Sequence, residues 1–251
     1  MPLGGSETVL ISRFAAARSD PGLVVLEGLH ALKHALRFGA RIEIACAPDP
    51  AAVLRLAQGL APDLCQQLAA LVQETAPETF AALAPVPPPT GVIAIAARPE
   101  VDPAPILAMP LGPPVVLLEN PSHLGNLGAV VRTAAAADAG AVLVTGCDPW
   151  HPAALRGSAG LHFALPVARI EALPETPRPL LAIDPHGEPL TADLPVDGSI
   201  LAFGSERRGL SDAILVRAQR RIAIPMKAGV SSLNLAAAVA VVLYAWRLAQ
   251  G

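Results

Sequence analysis

Aromatic side chains are scarce: five phenylalanines, two tryptophans and one tyrosine in 251 residues. A core must then be packed from Ala, Val, Leu and Ile, and an apolar content of 53% leaves room for a substantial one. Cysteine is scarce too. Cys46, Cys65 and Cys147 are scattered, odd in number and form no CxxC, so neither a disulfide framework nor a zinc site is indicated, and a reducing compartment fits. Charged residues are only 16%, and the formal net charge of −3 argues against a uniformly basic nucleic-acid binder. The familiar fingerprints are missing as well. No GxG occurs, nor GxxxxGK[ST], GxSxG or HExxH, so a dinucleotide dehydrogenase, a P-loop NTPase, a common hydrolase and a zincin all lose weight. No basic-then-apolar leader with a cleavage site opens the sequence, and the apolar stretch Leu235 to Trp246 is too short to cross a bilayer. A cytoplasmic protein with no membrane partner and no metal is expected.

What is present alternates. In the first part, LVVLEG (23–28), RIEIACA (41–47) and GVIAIAA (91–97) read as strands. A helix after Gly28 ends at Gly39, and residues 50–75 read as helical with a break at Pro62. The first helix carries His30, Lys33, His34 and Arg37 on one face, a solvated stripe or an RNA-facing one. His30 and His34 also have the spacing of two metal ligands, but no third ligand stands nearby. Arg98 to Pro114 holds six prolines and reads as a linker. Domains are therefore expected at 1–98 and 114–251, joined by 99–113.

In the second part the predicted strands are 114–120, 141–146, 179–185, 199–204 and 221–226. Helices are predicted at Leu127 to Ala137, at Pro152 to Ala159, and after Asn234 to the end. Short apolar strands alternating with helices imply an α/β fold: a parallel sheet covered on both faces, with ligands beyond the carboxyl ends of the strands. Between Arg207 and Lys227 stand six basic residues against one acid, Asp212, a patch that suits an anion or solvent.

Three strand-to-loop junctions carry the polar residues. Gly125-Asn126-Leu127-Gly128 opens a helix that presents Arg132, and Asn126 suits an N-cap. Arg132 stands in an apolar helix with no charge in its own turn, where a guanidinium usually meets a carboxylate or phosphate. Phe203-Gly204-Ser205-Glu206 follows a strand. There Gly204 allows close approach of a ligand, and Glu206 suits pairing with Arg132, orienting a substrate or starting a helix. Ser232 and Asn234 precede the last helix, where free N–H groups collect.

Taken together, these junctions resemble the SpoU, or TrmH-like, branch of the SPOUT RNA methyltransferases. The resemblance runs through Asn126-Leu127-Gly128-Ala129-Val130-Val131-Arg132-Thr133-Ala134, through Leu201 to Leu210, and through Ile224-Pro225-Met226 to Ser232-Leu233-Asn234-Leu235. It takes in Arg156 to Gly160 and Leu165-Pro166-Val167 and, less specifically, 23–43 and 90–94. It departs at His123-Leu124, where Asp-Pro or Asn-Pro is usual; Asn120-Pro121 lies three residues earlier.

The resemblance implies a SPOUT sheet with a C-terminal trefoil knot, preceded by a small α/β substrate-binding domain. It implies a homodimer. It implies S-adenosylmethionine held by Gly204, Ile224, Met226 and Leu233, with Met226 beside the adenine. The implied reaction is methylation of a ribose 2′-hydroxyl of ribosomal or transfer RNA, with ribosomal RNA favoured. Arg132 is the implied catalytic residue, with Asn126, Glu206, Ser232 and Asn234 fixing it and the ribose. A guanidinium is too weak an acid to serve as a base at neutral pH. Arg132 is therefore read as a phosphate clamp and a stabiliser of alkoxide charge. His123 is the titratable group in the first loop. Base-nitrogen methylation, an RNA-binding member without catalysis, and an unrelated α/β protein with another ligand are the alternatives.

Overall fold

The computed structural model describes residues 5–191 and 196–250. Residues 1–4 of the expected first domain and Gly251 of the second lie outside them. The chain forms two compact units, one of residues 1–100 with 159–164, the other of 101–158 with 165–251.

The first unit contains α1 (Gly5–Ala17), β1 (Leu23–Glu27), α2 (Leu29–Arg37), β2 (Ile42–Ala47), α3 (Pro50–Leu60), α4 (Cys65–Leu71), β3 (Val72–Glu74), α5 (Pro77–Ala82) and β4 (Ile93–Ala97). Its sheet has the order β1-β4-β2-β3. β4 runs antiparallel to both neighbours, and β2 and β3 are parallel. Phe14, Val25, Phe80, Ile93 and Ile95 lie at the centre of one core cluster. The helical reading of 50–75 is corrected at its end. Residues 72–74 are a strand, because Val72 and its neighbours pair with Ala45, Cys46 and Ala47. Helices α1 and α5 were not anticipated.

The second unit contains α6 (Ala104–Ala108), β5 (Val115–Leu118), α7 (Leu124–Ala136), β6 (Ala141–Val144), α8 (Pro152–Ser158), β7 (Val167–Arg169), β8 (Leu180–Pro189), β9 (Ile200–Phe203), α9 (Asp212–Arg217), β10 (Arg220–Ala223) and α10 (Leu235–Ala249). Six strands form one parallel sheet in the order β10-β8-β9-β5-β6-β7. Every residue of β5, β6 and β9 is buried, as strands covered on both faces must be. Alternate residues, among them Val115, Leu117, Leu143 and Ile200, pack with Leu107 of α6 and Ile214 of α9. Period-two alternation leaves Val116, Leu118 and Leu201 for the face bearing α7, α8 and α10. The proline-rich stretch is thus not only a linker, since it carries α6.

The register aligns Leu118 with Phe203 and Phe203 with Ile183. The loops after β5, β8 and β9 therefore leave the sheet at one edge. β8 is interrupted against β10, where the pairing jumps from Arg221–Ala182 to Ile222–Glu188. That slip holds Asp184 and Pro185 out of the ladder, and β8 continues beyond the predicted end at 185.

Two helices approach closely behind this edge. A Cβ on Gly128 of α7 would meet Ala154 O, Gly157 Cα at 2.8 Å and Ser158 N at 2.9 Å. Gly128 and Gly157 let the backbones of α7 and α8 touch.

Candidate cofactor and active site

A cavity of about 250 Å³ opens at the carboxyl edge of the sheet. All four residues expected to hold a cofactor, Gly204, Ile224, Met226 and Leu233, line it, as do Glu206 and Ser232. Asp184 and Pro185 line it too, and sequence reasoning missed both. The only signal was their place at the end of a predicted strand. The lining is mostly aliphatic and sulfur-bearing, with Asp184 and Glu206 as its acids.

Gly204 has a structural role beside its place in the lining. A Cβ there would collide with the backbone of Gly209 and Leu210, whatever ligand is near. The cause is a tight hairpin. Ser205 and Gly209 exchange backbone hydrogen bonds of 3.1 and 2.9 Å, and Gly209 sits at a φ of +67°. The Ser205 hydroxyl also accepts from Arg208 N at 3.2 Å. The far end of this loop is fixed by Glu119, whose carboxylate accepts from Ser211 N at 2.7 Å and from Ser211 Oγ at 2.6 Å.

Glu206 stands at the centre of the polar half of the site. One carboxylate oxygen accepts from Ser122 N at 2.9 Å, and the other accepts from Asn126 Nδ2 at 2.9 Å. Asn126 Oδ1 in turn accepts from Asn234 Nδ2 at 3.1 Å. Asn234 Oδ1 caps α10, accepting from Ala236 N at 2.9 Å and Ala237 N at 3.3 Å. One chain of side-chain bonds thus joins the three loops. Partial burial raises the Glu206 carboxyl, but the bonds from Asn126 and Ser122 and the nearby His123 outweigh it and hold it below the usual carboxylate range.

Two expectations are corrected here. Asn126 is not the N-cap of α7. The helix starts three residues earlier, at Leu124 with His123 as N-cap, and Asn126 lies in its first turn. Glu206 does not pair with Arg132: its oxygens face Ser122 and Asn126 of the first loop, and Arg132 has no ion pair among the described residues. Arg132 is exposed and has no hydrogen bond or ion pair among the described residues. The structure therefore brings together Asn126, Glu206 and Asn234 by bonds, and Glu206 with Ser232 around the cavity. Arg132 it places on α7 with its guanidinium unengaged.

The two basic surfaces are thinner than their sequences suggested. On α2, Arg37 is held by Asp63 at 2.9 and 2.5 Å, and His34 Nδ1 bonds Ala159 O at 2.7 Å. In the 207–227 patch, Arg217 binds Leu173 O and Pro174 O, and Arg220 binds Glu188. Arg207, Arg208, Arg221 and Lys227 remain exposed. Among the described residues no three His, Cys, Asp or Glu side chains gather as metal ligands, and no helix is long and apolar enough to cross a membrane.

Comparison with known proteins gives this site a context. Residues 113–244 match the model of the SpoU rRNA methylase family. An uncharacterized tRNA/rRNA methyltransferase of Synechocystis sp. is 33% identical over 250 residues, covering 93% of this chain and 86% of that protein. The 23S rRNA (uridine(2479)-2′-O)-methyltransferase of Streptomyces viridochromogenes is 32% identical over 173 residues, which are 62% of this chain and 59% of the relative. Among solved structures, an RNA 2′-O ribose methyltransferase superposes with a TM-score of 0.71 at 28% identity, over 98% of this chain and 96% of the other. The SpoU methyltransferase AviRb of S. viridochromogenes, solved with AdoMet, superposes with a TM-score of 0.76 over 99% and 98%, and at 23% identity it speaks to the fold alone.

Proposed function

This chain belongs to the SpoU rRNA methylase family, and we propose that it is an S-adenosylmethionine-dependent enzyme that methylates a ribose 2′-hydroxyl of RNA, ribosomal RNA in preference to transfer RNA. The observation that carries this reading is the double role of Glu206, which lines the cavity and also anchors the helix bearing Arg132. Cofactor pocket and candidate catalytic helix are thereby fixed to each other.

The residues present fit the cofactor. Ile224, Met226 and Leu233 offer apolar surface to an adenosine, the backbone at Gly204 and Ile224 offers hydrogen-bonding groups, and Asp184 supplies a carboxylate at the wall. When bound, S-adenosylmethionine supplies an electrophilic methyl group on a sulfonium. The protein's own task is to place a ribose hydroxyl there and to stabilise the charge that develops on its oxygen. Arg132, unengaged and permanently charged, takes the phosphate next to that ribose and stabilises the alkoxide. Asn126, Glu206 and Asn234 act on Arg132 through α7, and Ser232 stands between cavity and substrate.

Several finer features belong to the same proposal. A trefoil knot at the C-terminus is supported by the path of the last segment: it lines the cavity beside the β9 loop, and α10 then returns to pack on α7. A homodimer is supported by α10, which is buried along Leu235, Val239, Val242 and Trp246 but leaves Val241, Tyr244 and Leu248 exposed at 42%, 41% and 77%. The residues 1–98 serve as an RNA-binding domain, for which the exposed His30 and the adjacent Lys33 of α2 are candidates. A cytoplasmic site of action is part of the same proposal. The test is transfer of a labelled methyl group to deproteinised ribosomal RNA and to transfer RNA. Label in alkali-resistant dinucleotides supports ribose methylation; label on a base, or none with cofactor bound, refutes it.

A further inference from the structure

A second cavity, of about 450 Å³, lies within the same unit at the carboxyl ends of β5, β6 and β7 and shares no lining residue with the first. Its walls divide by chemistry. Leu117, Leu173 and Ile214 give it an apolar floor, part of the buried core beneath α9. Asn120, Thr145, Arg169 and Glu171 give it a polar rim.

The rim groups differ in what they have left to offer. Two charged lining residues are structural: the Glu119 carboxylate is filled by Ser211, and Arg217 is held by Leu173 O and Pro174 O. The side chains of Asn120, Arg169 and Glu171 make no hydrogen bond or ion pair among the described residues. Thr145 Oγ1 accepts from Asn120 N at 3.1 Å, which leaves its hydroxyl hydrogen to donate. The cavity thus pairs an apolar floor with an exposed carboxamide, carboxylate and guanidinium and with a hydroxyl that can still donate. Its volume is within the range of small-ligand sites, and the carboxyl edge of a parallel sheet is where such ligands sit.

We propose that this cavity binds one nucleotide, with the base over Leu117, Leu173 and Ile214, base edge or ribose to Asn120, Thr145 and Glu171, and phosphate to Arg169. The fit is chemical: an aromatic base wants an apolar face and polar edges, and a phosphate wants a free guanidinium. Glu171 sets a limit on the pose, since it must face amino or hydroxyl hydrogens and not the phosphate. The rim also reaches the site above. Asn120 is two residues from Ser122, whose N–H holds Glu206. The nucleotide comes either from the RNA, as a neighbour of the methylated residue, or from solution as a free mononucleotide. This proposal goes beyond the methyl-transfer reading and does not need it.

The test uses the full chain with its first cavity saturated by S-adenosylhomocysteine. Binding of the four 5′-ribonucleoside monophosphates is measured by saturation-transfer NMR, and binding of a fluorescent random-sequence RNA dodecamer by anisotropy. Two variants probe the cavity from exposed positions: Ala213→Trp fills it from α9, and Arg169→Ala removes the guanidinium. The expected result is a loss of at least fivefold in nucleotide affinity in both variants, with S-adenosylhomocysteine affinity unchanged. A parallel loss for the dodecamer identifies RNA as the source; a loss confined to mononucleotides identifies a free ligand. If both variants keep both affinities within twofold of the parent, the assignment is overturned, whatever the methyl-transfer assay shows. Failure of the methyltransferase reading is seen separately, as absent cofactor binding or absent methyl transfer in the parent chain.

Discussion

Exchanging the donor and acceptor between Asn126 and Glu206 tests the three-loop clasp directly. In Asn126→Asp the amide that donates to Glu206 at 2.9 Å becomes a carboxylate oxygen facing another. A charge-assisted hydrogen bond of about 1.5–3 kcal/mol is lost, at the low end here because Glu206 is largely exposed. Repulsion between the two charges adds about 1 kcal/mol once solvent screening is allowed for. The sum, about 2.5 kcal/mol, lowers the melting temperature by about 5–10 °C for a unit of this size. Glu206→Gln alone is also damaging, because it sets the Asn126 amide against another amide. The double variant Asn126→Asp, Glu206→Gln should recover most of the loss. The new amide at position 206 then donates to the new carboxylate at position 126 and still accepts from Ser122 N. That carboxylate still accepts from Asn234. Thermal unfolding and calorimetric titration with S-adenosylmethionine read the cycle, and a coupling of about 2 kcal/mol is expected. pH gives a second reading. In the parent, the Glu206 carboxyl is held below its ordinary value of 4.5, so its stabilisation is present above that pH and fades as pH falls through the lowered value. In Asn126→Asp the two carboxylates share a proton on acidification, and stability there should rise relative to pH 7.5. A double variant no better than Asn126→Asp would refute the clasp as the link between the loops.

Three further outcomes follow from the same geometry. Arg132→Ala should leave the melting temperature almost unchanged, because the guanidinium has no partner among the described residues, while methyl transfer falls by about 10²–10³-fold; normal turnover in a folded variant would remove Arg132 from the mechanism. Gly128→Ala drives a methyl into the backbone of α8 and should cost about 1–3 kcal/mol in chemical denaturation, and a neutral result would contradict the helix contact. Arg207→Ala with Arg208→Ala should flatten the slope of log affinity for single-stranded RNA against log salt by about 1.4, and an unchanged slope would show that the hairpin tip does not meet phosphate.

The sheet was legible in the sequence because its central strands are covered on both faces. Val115–Leu118 and Ile200–Phe203 are short unbroken apolar runs flanked by proline or glycine, too short for a buried helix and suited to a buried strand. The cap of α10 was legible too, since Asn234 stands just before an apolar helix. The start of α7 was not. Its N-cap is His123, which makes no side-chain cap bond, so local rules favoured Asn126 instead. Partners across loops were the least legible. Pairing with Arg132 was the mate that Glu206 suggested, and its bond to Asn126 instead depends on how two loops 80 residues apart meet. Asp184 was hidden by the slip between β8 and β10, a property of pairing that no window of sequence contains.

Gly204 and Glu206 each have a second, structural role, and it bears on how the site works. Both residues were assigned to a ligand, and both are first needed by the protein: Gly204 by its own hairpin, Glu206 by Ser122 and Asn126. Asp184, Ser205 and Glu206 of the first cavity each accept a hydrogen bond from within the protein, so these groups are positioned before anything binds. A cofactor held by apolar walls and backbone then costs little reorganisation. Arg132 stands apart from this closed set as a charged group on the clasped helix with its hydrogen-bonding capacity uncommitted. If the clasp exists to aim that one residue, weakening it should lower kcat for RNA methylation more than it lowers cofactor affinity. Equal losses in Asn126→Asp would instead make the clasp a support for the cavity wall.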